Sequence, residues 1–189
     1  MAIKTKIDGN SRISLSDDQL FDQSTANTSG GTDSTSGNTL IGYLAGQSVD
    51  AGSVNNTFIG HAVGDATLAD AKENTGVGTN ALTALTSGDD NTTLGWGAGA
   101  NITTGAKNTA IGSESMHDGV AVITGDKNTC IGFQAGELIN GAGAQNTLVG
   151  AYAGEDLTTG TRNVCIGHEA EPSSVTAINQ IVIGDSAQG

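Results

Sequence analysis

Residues 38–46 read NTLIGYLAG, and close copies of this nonapeptide return along the rest of the chain. Each copy places a branched apolar residue directly before a glycine. The copies begin at Asn38, Asn56, Asn74, Asn91, Asn108, Asn128, Asn146 and Asn163, and a degenerate ninth begins at Gln180. Their glycines follow one another at intervals of 17 to 20 residues. Nine copies at so regular a spacing indicate a repeat protein.

A unit of this length favours one coil of a parallel β-solenoid. It is too short for a propeller blade or a helix pair, which need roughly 34 to 45 residues. A unit of this length can hold two strands of about five residues joined by tight turns. Nine such coils, stacked about 4.8 Å apart, make a rod about 40 Å long. The opening Asn of each copy is expected to form a ladder, its amide hydrogen-bonded to turn backbone above and below. We therefore predict an all-β parallel β-solenoid of about nine 17–18-residue coils over residues 38–189.

Three apolar columns of the repeat are expected to fill the coil. The branched residues before the glycines are Ile41, Ile59, Val77, Leu94, Ile111, Ile131, Val149, Ile166 and Ile183. The small residues three positions after the glycines are Ala45, Val63, Ala81, Ala98, Ser115, Ala135, Ala153, Ala170 and Ala187. The apolar residues expected opposite the first column are Val49, Leu68, Leu85, Ile102, Ile123, Ile139, Leu157 and Val175.

The residue two positions before each glycine is expected to point away from the core, because side chains alternate along a strand. Most of these residues are apolar, and an apolar stripe on the outside of a rod marks contact with another chain. The predicted interface comprises Leu40, Phe58, Ala110, Cys130, Leu148, Cys165 and Val182. Cys130 and Cys165 lie two coils apart, about 9.6 Å, which exceeds the ~7 Å limit for a disulfide, so both are predicted to be free thiols. The stripe predicts an obligate oligomer.

Composition and charge exclude several classes of protein. The chain has 29 Gly, one Pro and 3% aromatic residues, which excludes a coiled coil or helical bundle and suits an ordinary enzyme poorly. Its formal net charge of −13 opposes binding to nucleic acid and to anionic membranes. No signal peptide and no apolar run of membrane-spanning length is found, so we expect synthesis in the cytoplasm and release by lysis, without membrane insertion.

The pattern N-T-x-I-G-x-x-A-G, closed by T-T-G at 103–105 and 158–160, resembles the repeats of bacteriophage tail-fibre and other virion-surface proteins. It is also similar to the head repeats of trimeric autotransporter adhesins, which read Asn-x-x-Ala-Ile-Gly and form a left-handed parallel β-roll. The likeness covers residue 38 to about residue 188 and implies a left-handed coil and an elongated homotrimer. The longer coils and the lack of a secretion signal depart from the autotransporters and favour a phage protein located in the virion.

Residues 1–37 do not repeat. Ala2–Lys6 alternates like a short strand, Ile13–Leu20 is expected to be a second ordered piece, and Ser24–Gly37 reads as a Ser/Thr/Gly/Asn linker. By the resemblance, the N-terminal segment docks onto other virion proteins, and a disordered tail is the alternative. The residues assigned to attachment are Ile3, Ile7, Ile13, Leu15, Leu20 and Phe21.

The side chains of the sequence suggest a binding surface but no catalytic site. His61, His117 and His168 do not form a metal motif, no phosphate loop is present, and no cofactor is expected. The residue after each glycine varies widely, which indicates that the strand bends at the glycine. If exposed there, Tyr43, Trp96 and Phe133 are suited to stacking on sugar rings of a host glycan; the alternative is that they cover a neighbouring chain.

The leading functional hypothesis is therefore a non-enzymatic phage virion protein, a homotrimeric tail fibre or spike that contributes to host attachment. A capsid decoration spike is the nearest alternative. A bacterial surface adhesin and an ice-binding protein follow, and ice binding would need two exposed Thr columns on one flat face. A depolymerase would need paired carboxylates roughly 5–9 Å apart.

Overall fold

The computed structural model describes residues 4–7, 11–14, 37–117, 119 and 121–189, and this part of the chain is all-β, without a helix. The strands are β1 (Lys4–Ile7), β2 (Ser11–Ser14), β3 (Thr39–Ile41), β4 (Thr57–Ile59), β5 (Thr75–Val77), β6 (Thr92–Leu94), β7 (Thr109–Ile111), β8 (Thr129–Ile131), β9 (Thr147–Val149), β10 (Val164–Ile166) and β11 (Ile181–Ile183). Strands β3 to β11 form one nine-stranded sheet in chain order. Every neighbouring pair in it is parallel. The chain is thus a β-solenoid of about eight turns, which confirms the predicted fold class.

Each coil contributes a single short strand to this sheet. Equivalent repeat positions lie side by side, as in the pairing of Cys130 with Leu148. The opposite side of the coil has only isolated parallel bridges, such as Ile102 with Ile123 and Ala144 with Thr161. The expectation of two five-residue strands per coil was wrong, because turns with left-handed backbone fill the rest of each coil.

The predicted asparagine ladder is present and lies inside the coil. The Asn108 Oδ1 atom accepts hydrogen bonds from the backbone N–H (2.9 Å) and the Nδ2 (3.1 Å) of Asn128. The Asn108 Nδ2 donates to the Gly125 carbonyl (3.0 Å) of the same coil. The same pattern joins Asn38, Asn56, Asn74, Asn91, Asn108, Asn128, Asn146 and Asn163. All members after Asn38 are fully buried, so the ladder satisfies polar groups that water cannot reach.

The ladder stops at Gln180. Its backbone N–H donates to Asn163 Oδ1 (3.0 Å), as at every earlier step. Its side chain is turned aside, however: Oε1 accepts the Ser173 backbone N–H (2.7 Å) and Nε2 donates to Ser173 Oγ. The carboxamide of Gln180 is therefore bonded to Ser173 of the preceding coil and does not extend the ladder.

The repeat glycine makes the bend that was expected after each strand. Gly132 has φ +140°, and a Cβ there would lie 2.3 Å from the Gly150 carbonyl oxygen of the next coil. A side chain would therefore face both backbone strain and a clash with backbone. Stacked glycines let the coils approach to strand-pairing distance.

The interior is formed by the column that alternation assigned to the outside, so the predicted interface was wrong. Six of its seven members are buried within the single chain, and Leu40 in the first coil packs against them. The residues that point inward are Leu40, Phe58, Ala110, Cys130, Leu148, Cys165 and Val182. The branched column beside each glycine points outward instead. Both cysteines are free, as predicted, and burial raises the pKa of the Cys165 thiol to about 11.

Large and small side chains compensate for one another across this interior. Where the inward strand residue is large, as at Phe58 or Leu148, the position four residues after the repeat glycine is itself Gly. A Cβ at Gly154 would lie 2.6 Å from Leu148 Cδ2. Where the strand residue is small, that position is large, as with Gly76 and Leu82, or with Ala110 and Met116. Leu82 and Met116 are both fully buried, so each coil keeps its volume filled.

The remaining core columns match the sequence expectations except near the C-terminal end. The small column is buried through Ala170, and Ile123 is fully buried in the coil with the longest spacing, as predicted. Val175 was wrongly assigned to the core: it is 48% exposed, and Ala177 is buried in that coil instead.

The N-terminal region is described only in part. Strands β1 and β2 pair antiparallel and overlap the two ordered pieces expected there. Of the residues assigned to particle attachment, Ile7 lies in β1 and Ile13 in β2. Ile3, Leu15, Leu20 and Phe21 lie outside the described residues.

Candidate functional site

The outward side chains of the parallel sheet form a two-column surface, which we call the outer face. Its first column is Thr39, Thr57, Thr75, Thr92, Thr109, Thr129, Thr147, Val164 and Ile181. Its second column is Ile41, Ile59, Val77, Leu94, Ile111, Ile131, Val149, Ile166 and Ile183. None of these residues is charged, although the chain has a formal net charge of −13.

The outer face remains accessible in the single chain. Leu94 is 49% exposed and Ile183 is 66% exposed, and every other member is exposed or half-buried. Branched aliphatic side chains are usually buried, and an extended exposed row of them marks an interaction surface. An exposed apolar stripe is therefore present, but it is formed by the other column of the strand and not by the residues predicted to form an interface.

Beyond the glycine bend, rings that are exposed or half-buried follow one another along the rod. We call this surface, formed by Tyr43, His61, Trp96, His117, Phe133, Tyr152 and His168, the aromatic row. Tyr43 is 61%, Trp96 50% and Phe133 42% exposed. Tyr43 stacks on His61 with ring centroids 5.4 Å apart. The three aromatic residues that the sequence singled out are thus open to solvent.

The second half of the aromatic row is a continuous set of ring contacts. Tyr152 meets Phe133 edge to face at 5.3 Å and His168 at 5.9 Å. Earlier in the row, the Trp96 and His117 rings lie 6.2 Å apart. Because each ring rests on a ring of a neighbouring coil, these side chains are held in place without being buried.

Carboxylates border the aromatic row. Asp185 Oδ1 lies 3.2 Å from His168 Nδ1, and Glu169 Oε1 lies 3.7 Å from His168 Nε2. Burial and the negative charges of Glu137, Asp156 and Glu169 raise the pKa of Glu155. Around His168, the row therefore has a rim of carboxylate hydrogen-bond acceptors and negative charge beside its ring faces.

Among the described residues, the half-buried Glu171 is the one whose side chain has a buried oxygen without a hydrogen-bond partner. Its Oε1 accepts the backbone N–H of Glu155, whereas its Oε2 is buried without a hydrogen-bond partner. Burial is the main cause that raises its pKa to about 7, and the charges of Asp156 and Glu155 add to this. Near neutral pH this carboxyl is held partly in its protonated form.

Two other kinds of feature are absent from the described residues: a metal-binding cluster and a membrane-spanning helix. Among residues 37–117, 119 and 121–189, no three His, Cys, Asp or Glu side chains are placed to hold a metal ion. In the same part of the chain, no helix is long and apolar enough to cross a membrane. The three histidines belong to separate ring contacts, with Tyr43, Trp96 and Tyr152.

Sequence reasoning missed Tyr152 and His117 as members of the aromatic row. Tyr152 lies one position later in the repeat than Phe133, and His117 four positions later than Ser113, the residue after its own repeat glycine. Left-handed backbone at Tyr152 (φ 60°) and Met116 (φ 51°) redirects the chain at these points. A period-two strand pattern carries no signal for such positions.

Comparisons with protein-family models, with curated proteins and with solved structures find no match for this chain.

Proposed function

We propose that this chain is a non-enzymatic structural protein of a bacteriophage particle, an elongated homotrimeric fibre or spike that contributes to host attachment. The observation that carries the proposal is the uncharged outer face on a strongly acidic protein. Like charges repel, so a chain with net charge −13 can associate with itself only through a surface that keeps carboxylates apart. Both columns of the outer face meet this condition over nine successive strands.

The dimensions of the outer face suit association along the rod. Nine strands about 4.8 Å apart give a length of about 40 Å, and a three-residue strand with its side chains is about 10 Å wide. The projected area is about 400 Å² per copy, roughly half of a standard interface side. Adjoining turns would have to contribute the rest, which favours copies aligned side by side over their full length.

The phage assignment rests on the resemblance of the Asn-Thr-x-Ile-Gly repeat to virion-surface proteins. A regular rod of stacked parallel strands with an uncharged outer face suits a mechanical or recognition role. A tail fibre or spike is the first candidate location, and a capsid decoration spike is the second. Cross-linking of intact particles followed by mass spectrometry distinguishes them: links confined to the major capsid protein would exclude the tail.

The proposal is tested by the mass of the purified full chain in solution. Light scattering at physiological salt is expected to give three times the 18.7 kDa chain mass. Ile131→Lys, which places charge on the outer face, is expected to give monomers. Ala142→Lys, at an exposed turn on the other side of the coil, serves as the matched control and should remain trimeric. A native chain that is monomeric at micromolar concentration would contradict the proposal.

Ice binding is a second candidate because the outer face carries a regular Thr column, with threonine in seven of its nine strands. The second column is aliphatic, so the two exposed Thr columns expected of an ice-binding face are not present. Measurement of thermal hysteresis on the full chain tests this: freezing-point depression without self-association would favour ice binding over the fibre.

A further inference from the structure

We infer that the aromatic row is a binding platform for an extended polysaccharide made of uncharged or amino sugars. This inference names a ligand class for the attachment role proposed above and rests on that proposal. It concerns a surface separated from the outer face by the glycine bend, so the two surfaces can be altered independently.

The first argument is that the rings are ordered although they are exposed. Phe133 is 42% exposed, yet its ring contacts Tyr152, which in turn contacts His168. Ring contacts hold these side chains in one arrangement, so little conformational entropy is lost when a ligand binds. The apolar C–H face of a pyranose ring stacks on aromatic rings, and its hydroxyl groups need polar partners at the edge.

The second argument is the spacing along the rod. The aromatic row provides rings on seven of the nine coils, so they recur at multiples of about 4.8 Å over roughly 30 Å. A linear polysaccharide lying along the rod can contact several rings at once, because a pyranose unit is similar in length to one coil step. Many weak stacking contacts then act together, and affinity is expected to rise with chain length.

The third argument is charge. The carboxylates of Glu169 and Asp185 lie 3.7 Å and 3.2 Å from the ring nitrogens of His168, and the charge of Glu169 also interacts with that of Glu155. Asp65 lies close enough to His61 for their charges to interact. Carboxylates accept hydrogen bonds from hydroxyl and ammonium groups but repel uronate, sialate and phosphate. The rim therefore selects uncharged or amino sugars over anionic ones.

The test is co-sedimentation of the purified full chain with four insoluble polymers. Cellulose and chitin supply uncharged sugars, chitosan supplies amino sugars, and cross-linked polygalacturonate is the anionic comparison. The native chain is expected to bind at least one of the first three and not polygalacturonate. Trp96→Ala and Tyr152→Ala should each reduce the bound fraction at least tenfold. Thr79→Ala, at an exposed ring-free position of the column that carries Trp96, is the matched control and should bind like the native chain.

Light scattering on the same variants separates this inference from the proposed assembly. Trp96→Ala and Tyr152→Ala are expected to keep the native mass, and Ile131→Lys is expected to lose it while each chain keeps its ring-dependent binding. Absence of binding to all of the first three polymers, equal binding by both ring variants, or preference for polygalacturonate would each overturn the inference. A change of mass in either ring variant would overturn it too, since the row would then lie between copies.

Discussion

At the scale of single residues, the buried asparagines do most to define each coil. Each one bonds its own coil and the coils on either side, as Asn108 does with Gly125 of its own coil, Asn91 of the preceding coil and Asn128 of the following coil. A hydrocarbon side chain at this position would leave the partners buried and unpaired. The cost of an unsatisfied buried group exceeds the net value of an ordinary hydrogen bond, which explains why one residue type recurs here.

Asn108→Ala tests this role directly. It removes the acceptor of the Asn128 N–H and the donor to the Gly125 carbonyl, so the free energy of unfolding is expected to fall by about 2–4 kcal/mol. Urea denaturation followed by circular dichroism measures the change. Asn101→Ala, a half-buried asparagine outside the ladder, is the control and should cost less than about 1 kcal/mol. Equal losses in the two variants would contradict the role assigned to the ladder.

Glu171 gives the chain a predictable response to pH. Its pKa of about 7 when folded exceeds its ordinary value of 4.5. Between these values the folded chain holds a proton that the unfolded chain has released, so its contribution to stability falls as pH rises from about 4.5 to about 7. Glu171→Gln removes this penalty and keeps an oxygen to accept the Glu155 N–H. The variant should exceed the native chain by about 1 kcal/mol at pH 8, a figure reduced for solvent screening at a half-buried site, and equal it at pH 4.

Urea denaturation of both proteins at the two pH values provides the measurement. The exposed Glu73 supplies the control variant, Glu73→Gln, whose difference from the native chain should not grow between pH 4 and pH 8. A gain for Glu171→Gln of the same size at pH 4 would show that titration is not its cause.

At the scale of the structural element, the coil shows what sequence could and could not predict. The repeat length, the asparagine ladder, the small column and the bend at glycine were all predictable, because each depends on a fixed residue type at a fixed position. The strand column that faces inward was not predictable, since Ile59 and Phe58 are both apolar and alternation alone does not say which of the two points into the core. The uniform branched column proved to be the outer face, whereas the column of irregular size, with Phe58 beside Gly76, proved to be the core.

The irregular sizes are themselves the signal that identifies the interior. The cross-section of a coil is filled either by a small strand residue with a large partner, as with Ala110 and Met116, or by a large strand residue with a glycine, as with Leu148 and Gly154. Surface positions have no such constraint, so Ile131 and Val149 need not vary with any partner. The candidate surfaces were harder to predict than the fold, because Tyr152 reaches the aromatic row through a left-handed backbone position.

Replacement of Ala110 and Met116 by a large and a small residue, respectively, tests whether the two positions compensate for each other in size. Met116→Gly should destabilise the chain by about 2 kcal/mol through the cavity it leaves, and Ala110→Leu by about 1–3 kcal/mol through overpacking. The double variant copies the Leu148–Gly154 arrangement and is expected to recover most of both losses. A double-mutant cycle by urea denaturation measures the coupling, and losses that simply add would show that the two positions do not share a cavity.

At the scale of the whole molecule, the rod is a stack in which each coil contacts only its neighbours, so stability is expected to be nearly additive over coils. In-register pairing from β3 to β11 means that no coil depends on a distant one. The length of the rod is therefore adjustable in steps of one repeat.

Removal of residues 56–73, one complete coil, should be tolerated. Asn38 then meets Asn74, which occupies the position of Asn56, and the register of every later strand is unchanged. The shortened chain is expected to keep the same circular dichroism per residue and a cooperative thermal transition. Removal of residues 56–64, half a coil, breaks the ladder between the first coil and the rest and should lower the circular dichroism per residue and the transition temperature more than the full-coil deletion does; equal behaviour of the two deletions would contradict the stacking of repeats in register.

The turned side chain of Gln180 has a mechanical consequence. At each earlier seam between coils, the incoming asparagine donates two hydrogen bonds to the Oδ1 of the previous one, whereas Gln180 donates only its backbone N–H to Asn163 and its carboxamide bonds the exposed Ser173 of the preceding coil. The two bonds to Ser173 lie at the surface, where water competes for them, so the seam between β10 and β11 is secured less firmly than the buried seams before it. Under tension along the axis, this rod should peel open from its C-terminal coil towards β3, one seam at a time.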